Sequence, residues 1–528
     1  MIKTGKWSAM QPHAAASGSL QQCESLSSRM RMELAAAADA FRSSSNHRRL
    51  GYASALACGW TCVAVKSLRK RRSSHSSVRA RRCPRVVAQR AEGSSSLGTG
   101  TGLADEVIDI SEPVTSACST ALAWEQAIEE VYNATGTGFE AGMVFVAESH
   151  VQAAGGLRNL LEVLRPKLDA TTLVACVASG GIGNEAEGGS TVEVENGPFL
   201  SVSLLRNAGA TPFFLGADGG GDTELVNRKA TEGGVKGMLL LADPFAPVED
   251  VLAGLDREFP NVPKVGGISA AVPVPVPDGN QTAFQSSIAI AAEGCDVRIL
   301  NQGVVGIMLE GLEVHSIVCQ GCVGVGPIVK VSRVNGPQCM ELGGRPAQET
   351  FMYIYRSMSP AAQEKMQKFL VAGLGQASDS DIGDGDWLIR GISGVDRQTG
   401  GLILGPGLQE NQPFRFHVRD KESAEGDLEL MLNRYKLEKT FMNNSASPAG
   451  LLVFTCNGRG EGLYGRKHVD AEAGSAILGG SGPVAGFFCN GEIGSPGLSV
   501  PSDGKKLRQT AVHGFTACFA VLVPTSSQ

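Results

Sequence analysis

Three times along the chain an apolar run is followed by a helical pattern or a polar stretch and then by a second apolar run. In the first copy Gly142-Met-Val-Phe-Val-Ala reads as a buried strand and Leu157, Leu160, Leu161 and Leu164 as one face of a helix. Residues 171–177 then form a second strand that ends in Gly180-Gly-Ile-Gly. The second copy opens at Met238-Leu-Leu-Leu, continues with Val248, Leu252, Leu255 and Phe259 on one helical face behind Pro247, and closes at Lys264-Val-Gly-Gly. The third runs from Gly450-Leu-Leu-Val-Phe-Thr to Val484-Ala-Gly-Phe-Phe, with a Cys-Asn-Gly tripeptide after each strand. A further helix is predicted from Ala121, Trp124, Ala127, Ile128 and Val131.

Between these units, residues 191–195, 200–204, 303–309 and 314–318 alternate in the manner of antiparallel strands, so the sheets are expected to be mixed. No fixed period of ~20–50 residues links the three copies, which excludes a solenoid and favours an α/β or α+β fold with sheets covered by helices. The Pro-Val alternation at 272–279 and the acidic stretch 378–386 are expected to be surface loops.

Charge divides the chain. Residues 1–90 carry 17 Lys and Arg against Glu24, Glu33 and Asp39, leaving 30 basic and 50 acidic residues beyond position 90. A leader rich in Ser, Ala and Arg has the composition of an organelle transit peptide, with cleavage expected near Val87-Ala88. The localisation read from it is the plastid, with mitochondrial and cytoplasmic alternatives. A net charge of -6 and 5% aromatic residues argue against nucleic-acid binding, and no run is long and apolar enough for a membrane span. Of 13 cysteines, nine lie beyond the leader without a disulfide-like rhythm and are expected to be reduced. Glycine, at 67 residues, is nearly twice as frequent as the usual ~7%.

Candidate chemistry gathers in the last third. Cys456-Asn457-Gly-Arg459 and Cys489-Asn490-Gly-Glu492 each follow an apolar strand, where polar groups emerge at sheet ends and loops gather a ligand. Arg419 and Arg459 are candidates to clamp a carboxylate, and Glu492 or Asp420 to hold an ammonium, which together suits an amino-acid-like ligand. Asn-Gly is also a favoured turn pair and a buried Cys a small hydrophobe, so purely structural roles remain open. A catalytic cysteine would need a base such as His468 or His513 beside Cys456 or Cys489. The acidic stretch lacks the terminal Glu of a calcium loop, since the twelfth position from Asp379 is Arg390, and the glycine clusters match no nucleotide fingerprint. The lone Cys319-Gln-Gly-Cys is a weak metal or redox signal, so neither metal nor cofactor is expected.

An ordered series of motifs resembles the FIST family, named for F-box and intracellular signal transduction proteins. Its N-terminal part is matched by Gly180-Gly-Ile-Gly, Leu239-Leu-Leu-Ala-Asp-Pro-Phe, Gly254-Leu-Asp, Gly266-Gly-Ile-Ser and Cys319-Gln-Gly-Cys. Its C-terminal part is matched by Arg345-Pro-Ala, Val418-Arg-Asp, Phe454-Thr-Cys-Asn-Gly-Arg-Gly, Gly486-Phe-Phe-Cys-Asn-Gly-Glu-Ile-Gly and His513-Gly-Phe-Thr. The resemblance implies a disordered leader (1–92), a linker (93–116), a FIST N-terminal domain (117–340) and a FIST C-terminal domain (341–528). It further implies a non-enzymatic sensory protein that binds a small ligand at Asp243, Gly266, Gly267, Arg419, Asp420, Cys456, Asn457, Arg459, Cys489, Asn490 and Glu492. The alternatives are an adaptor with a signalling or ubiquitin-pathway partner and, third, a cysteine-dependent enzyme. No F-box pattern precedes the FIST region; the basic leader stands there.

Overall fold

A strand buried on both faces needs apolar side chains at every position, and the paired strands of all three repeats have them. In the computed structural model, which describes residues 112–525 apart from 218–219, 275–282, 286, 376–381, 384, 406, 443–445 and 501–506, each repeat forms a parallel pair. Phe139–Ala147 pairs with Ala170–Ala178, Gly237–Ala242 with Lys264–Ile268, and Gly450–Cys456 with Val484–Cys489. The helices Leu157–Lys167 and Val248–Glu258 make the first two crossovers, and two short helices, Glu461–Tyr464 and Val469–Ser475, make the third. The leader, its four cysteines and most of the linker lie outside the described residues.

Each parallel pair sits inside its own mixed sheet, flanked by antiparallel strands. The first sheet has six strands, with Leu200–Leu205 and Ile288–Ala292 beside the pair. The second, also six-stranded, places Gly303–Leu309 on one side and Glu492–Gly494 on the other. The third, of seven strands, inserts Ala517–Pro524 between Leu312–Cys319 and Gly450–Cys456, and adds Gly181–Asn184 beyond Val484–Cys489. Strands from early and late in the chain thus complete one another's sheets. A fourth sheet, built around Val323–Asn335 and Pro413–Val418, is covered by the helix Ala347–Ser357.

Side-chain alternation then decides the layers. Met143, Phe145, Leu239, Leu241, Leu452, Phe454 and Phe487 turn inward, so the inner faces of all three sheets share one core. Phe145 stacks on Phe487 at 5.0 Å and meets Phe454 edge-on at 6.3 Å, and Phe454 and Phe487 meet at 5.7 Å. The alternate residues, among them Val144, Leu240 and Val453, face outward under each sheet's own helices.

Two sequence expectations change. Val272–Val274 is not a loop but an edge strand paired with Ala283–Gln285, because a Pro-Val alternation is already extended and an edge position tolerates the missing proline N–H. Cys295, exposed between two strands, is disulfide-bonded, whereas Cys118, Cys176, Cys319, Cys322, Cys339, Cys456, Cys489 and Cys518 are free thiols, as expected.

The parallel pairs demand glycine where backbones press together. A Cβ at Gly266 would collide with the Leu240 carbonyl oxygen, and one at the equivalent Gly486 with that of Val453. Gly266→Ala is therefore expected to destabilise the chain by about 2–3 kcal/mol, checked by the urea midpoint of the variant.

Candidate functional site

Parallel strands deliver their following loops to one end of a sheet, and here three such ends meet. The Ala270 N–H donates to the Val177 carbonyl, the Ser269 N–H to Ala242, the Asn490 N–H to Ile268 and the Asn457 N–H to Cys489. Side chains tie the same loops together: Asn457 Nδ2 donates to Asn490 Oδ1 at 2.8 Å, and Asn490 Nδ2 to the Ser269 carbonyl at 2.8 Å. The two Cys-Asn-Gly turns are therefore neighbours.

Three ionisable side chains hang on this frame. Arg459 follows the first turn into the interior, where Nε and Nη2 bond both oxygens of Asp470 at 2.8 and 2.9 Å and Nη2 also reaches the Tyr464 hydroxyl. Burial works against both charges, yet each holds the other: Arg459 is pushed well above its ordinary range, and Asp470 is kept low. Arg459 thus has Nη1 alone without a partner. Arg419 ends the strand Pro413–Val418 and is 8% exposed. Its Nη2 donates to the Gly458 carbonyl at 3.0 Å, its Nε has no partner, and its guanidinium lies 5.6 and 5.5 Å from the Phe369 and Phe515 rings. Burial, then the neighbouring Arg459, lowers its pKa.

Glu492, fully buried, is the third. Its Oε2 accepts the Thr516 N–H at 3.2 Å and hydroxyl at 2.6 Å, while Oε1 has no partner. Burial raises its pKa to about 8 against the pull of Thr516, Arg459 and Arg419. In register beside it stand Gly267 on one strand and His513 on the other. A Cβ at Gly267 would collide with Cys489 Sγ, so this glycine is what lets the two sheets close.

Other candidates have local duties. Asp420 caps the helix Lys421–Thr440, accepting the Ser423 N–H at 2.8 Å, and pairs with Lys365 at 2.6 Å. Asp243, at the mouth of its strand, accepts the Phe245 N–H at 2.9 Å. Cys456 is half-buried, its thiol pushed up to about 11 by burial and by Glu492, with the Gly458 and Phe515 amides pulling back; Cys489 is raised further by burial. His468 Nδ1 accepts the Glu193 N–H and His513 Nε2 contacts the Gly494 carbonyl, so both rings bond to backbone.

Comparison with known proteins follows the same outline. The FIST N domain matches residues 140–345 and the FIST C domain residues 350–495. The uncharacterized protein Rv0628c of Mycobacterium tuberculosis is 32% identical over 368 residues, 69% of this chain and 87% of the relative. The chain belongs to the FIST family. A second relative, the uncharacterized protein Mb0898c of Mycobacterium bovis, is 30% identical over 370 residues, 69% of this chain and 86% of its own. The FIST N match contains the first two parallel pairs and the FIST C match the third, with Arg419, Arg459 and Glu492.

Sequence reasoning missed Phe515, Thr516 and Asp470. Phe515 has φ 72°, a left-handed backbone that a bulky side chain adopts only under constraint. Its motif, His513-Gly-Phe-Thr, was the available signal.

The buried carboxyl predicts a pH dependence. In the unfolded chain Glu492 titrates near its ordinary 4.5 and in the folded chain near 8, so the stability its proton confers is complete below the first value and is lost as pH rises to the second. Its share of the slope is about 1.4 kcal/mol per pH unit. Glu193, raised to about 7 by burial and Asp470, adds its own. Glu492→Gln is expected to remove only the Glu492 share, flattening urea stability between pH 5 and 8 without lowering it at pH 8.

Proposed function

We propose that this FIST protein is a non-enzymatic small-ligand sensor, and that its ligand, an amino acid or small carboxylate, is bound where the two Cys-Asn-Gly turns meet. The observation that carries the reading is the set of buried polar atoms without partners: Arg419 Nε just past the strand Pro413–Val418, Arg459 Nη1 after the first Cys-Asn-Gly turn, and Glu492 Oε1 at the start of the strand Glu492–Gly494. A buried polar atom left unpaired costs about 1–3 kcal/mol, and a ligand that pairs it recovers that cost. The raised thiols of Cys456 and Cys489 favour binding over nucleophilic chemistry, because a protonated thiol is a poor nucleophile.

A screen of the full chain by thermal shift against amino acids and small carboxylates tests this, since a ligand that binds only the native state raises its melting temperature. A rise that Arg419→Gln abolishes is the expected result. A silent panel would move the reading to a protein-interaction adaptor. That alternative has its own observation: Leu430 and Leu437 lie exposed along one face of the helix Lys421–Thr440, and Phe441 is 79% exposed just past its end.

The basic leader makes plastid import part of the proposal. Residues 1–92 fused to a fluorescent protein are expected to direct it to plastids in plant cells; label in mitochondria or cytosol would refute that part alone.

A further inference from the structure

The helix Lys421–Thr440 is apolar on two opposite faces. Ala424, Leu428, Met431, Leu432 and Tyr435 are buried in the core beneath it, whereas Leu430 and Leu437 lie on the far side, 50% and 61% exposed, with Phe441 just past the last turn. At about 100° per residue, Gly426, Leu430, Asn433 and Leu437 share one stripe about 60° wide, and all four are exposed. A helix that is apolar on both sides is ordinarily covered on both, and grouped exposed apolar side chains mark contact with another molecule.

Self-complementarity identifies that molecule. Leu430 and Leu437 stand at equal distances either side of a point between Asn433 and Arg434, and so do Gly426 and Phe441. When a second copy of the helix lies antiparallel across that point, Leu430 meets the partner's Leu437, Phe441 drops onto the partner's Gly426, and Asn433 faces its own counterpart. A Cβ at Gly426 would have nothing within 4 Å, so room for a ring is there. A parallel pair would instead crowd two phenylalanines at one end and leave a gap between two glycines at the other.

Charge follows the same centre. Glu429 and Lys436, seven residues apart and both exposed, flank the stripe on one side. Glu425 pairs with Arg466 at 3.7 Å and Arg434 with Asp386 at 3.4 Å, but neither Glu429 nor Lys436 forms an ion pair among the described residues. A two-fold axis lying in the contact plane brings like flanks together. Glu429 then comes within about 3 Å, along the helix, of the level of the partner's Lys436, and the pair occurs twice.

We propose that the helix Lys421–Thr440 is a homodimer contact, docking antiparallel on the same helix of a second copy about a two-fold axis beside Asn433. A foreign protein has no need for the two halves of this stripe to match each other, whereas a second copy requires it. Asparagine at the centre of a helix pair also sets register, because only the matched alignment lets the two amides bond. The helix is about 30 Å long, and one such pair buries less than the ~1,200 Å² of standard interfaces. The dimer is therefore weak, dissociating on the order of 10–100 µM.

Sedimentation of the full chain from about 1 to 300 µM brackets that range. The mass is expected to rise from the 55.0 kDa of one chain towards twice that value. Leu437→Asp should keep the chain monomeric throughout. Glu429→Lys alone and Lys436→Glu alone should each weaken the dimer at least about tenfold, because like charges then face each other at two places. The double variant should recover it. Gly426→Met, a good helix former with open space above it, should leave the fold intact and weaken the dimer by filling the place of the partner's Phe441. The melting temperature at about 1 µM, below the dissociation range, checks that each variant is folded.

A chain that stays monomeric to the highest concentration overturns the proposal and leaves this face to a foreign partner. A dimer indifferent to Leu437→Asp forms elsewhere and overturns it as well. A dimer that both single charge reversals weaken and the double variant does not restore overturns the antiparallel arrangement. The ligand site is untouched by all of these variants, so the ligand-binding reading stands or falls separately.

Discussion

Three of the large sheets are arranged around one shared interior, in which their inner faces close on Phe145, Phe454 and Phe487. None of the sheets can bury that face alone, and each supplies a wall for the other two. The strand ends are brought together as a consequence. Once the three parallel pairs pack face to face around one centre, the loops that follow them reach one another, and the Asn457–Asn490 and Asn490–Ser269 contacts fix their spacing.

Around that frame, charge is handled in two ways. The Arg459–Asp470 pair is closed, with both partners buried and bonded at two points, and removing either would leave an uncompensated charge in the interior. Arg419 and Glu492 are open by comparison, each with one polar atom satisfied and another without a partner. A fold that supports such groups must over-determine them elsewhere, and here the rigid sheet ends and the constrained backbone of Phe515 do so.

Much of this was legible in the sequence because it is local. The three strand, helix and strand units could be read from apolar runs and a helical period, and the Cys-Asn-Gly turns fall where the strands end. The helix Lys421–Thr440 was not read, although Ala424, Leu428, Met431, Leu432 and Tyr435 line its buried face behind the Asp420 cap. Asp420, with Ser423 three residues on, is the local signal for that helix start. The partners of Arg459 and Glu492 were harder to foresee, because which acid meets Arg459 depends on how a crossover of short helices folds back, and Thr516 reaches Glu492 only through the packing of late strands. Pairing across long sequence separations leaves no periodic trace.

The place of Ala517–Pro524 sets an order of events. This strand lies between Leu312–Cys319 and Gly450–Cys456, bonded to both, and every one of its residues up to Val523 is buried. While the chain is being synthesised, the third sheet has a gap through its middle until these residues emerge, and the common interior stays open on that side. The third sheet and the interior it walls are therefore complete only with this last strand in place, whereas the fourth sheet draws its strands from residues 323–418 alone.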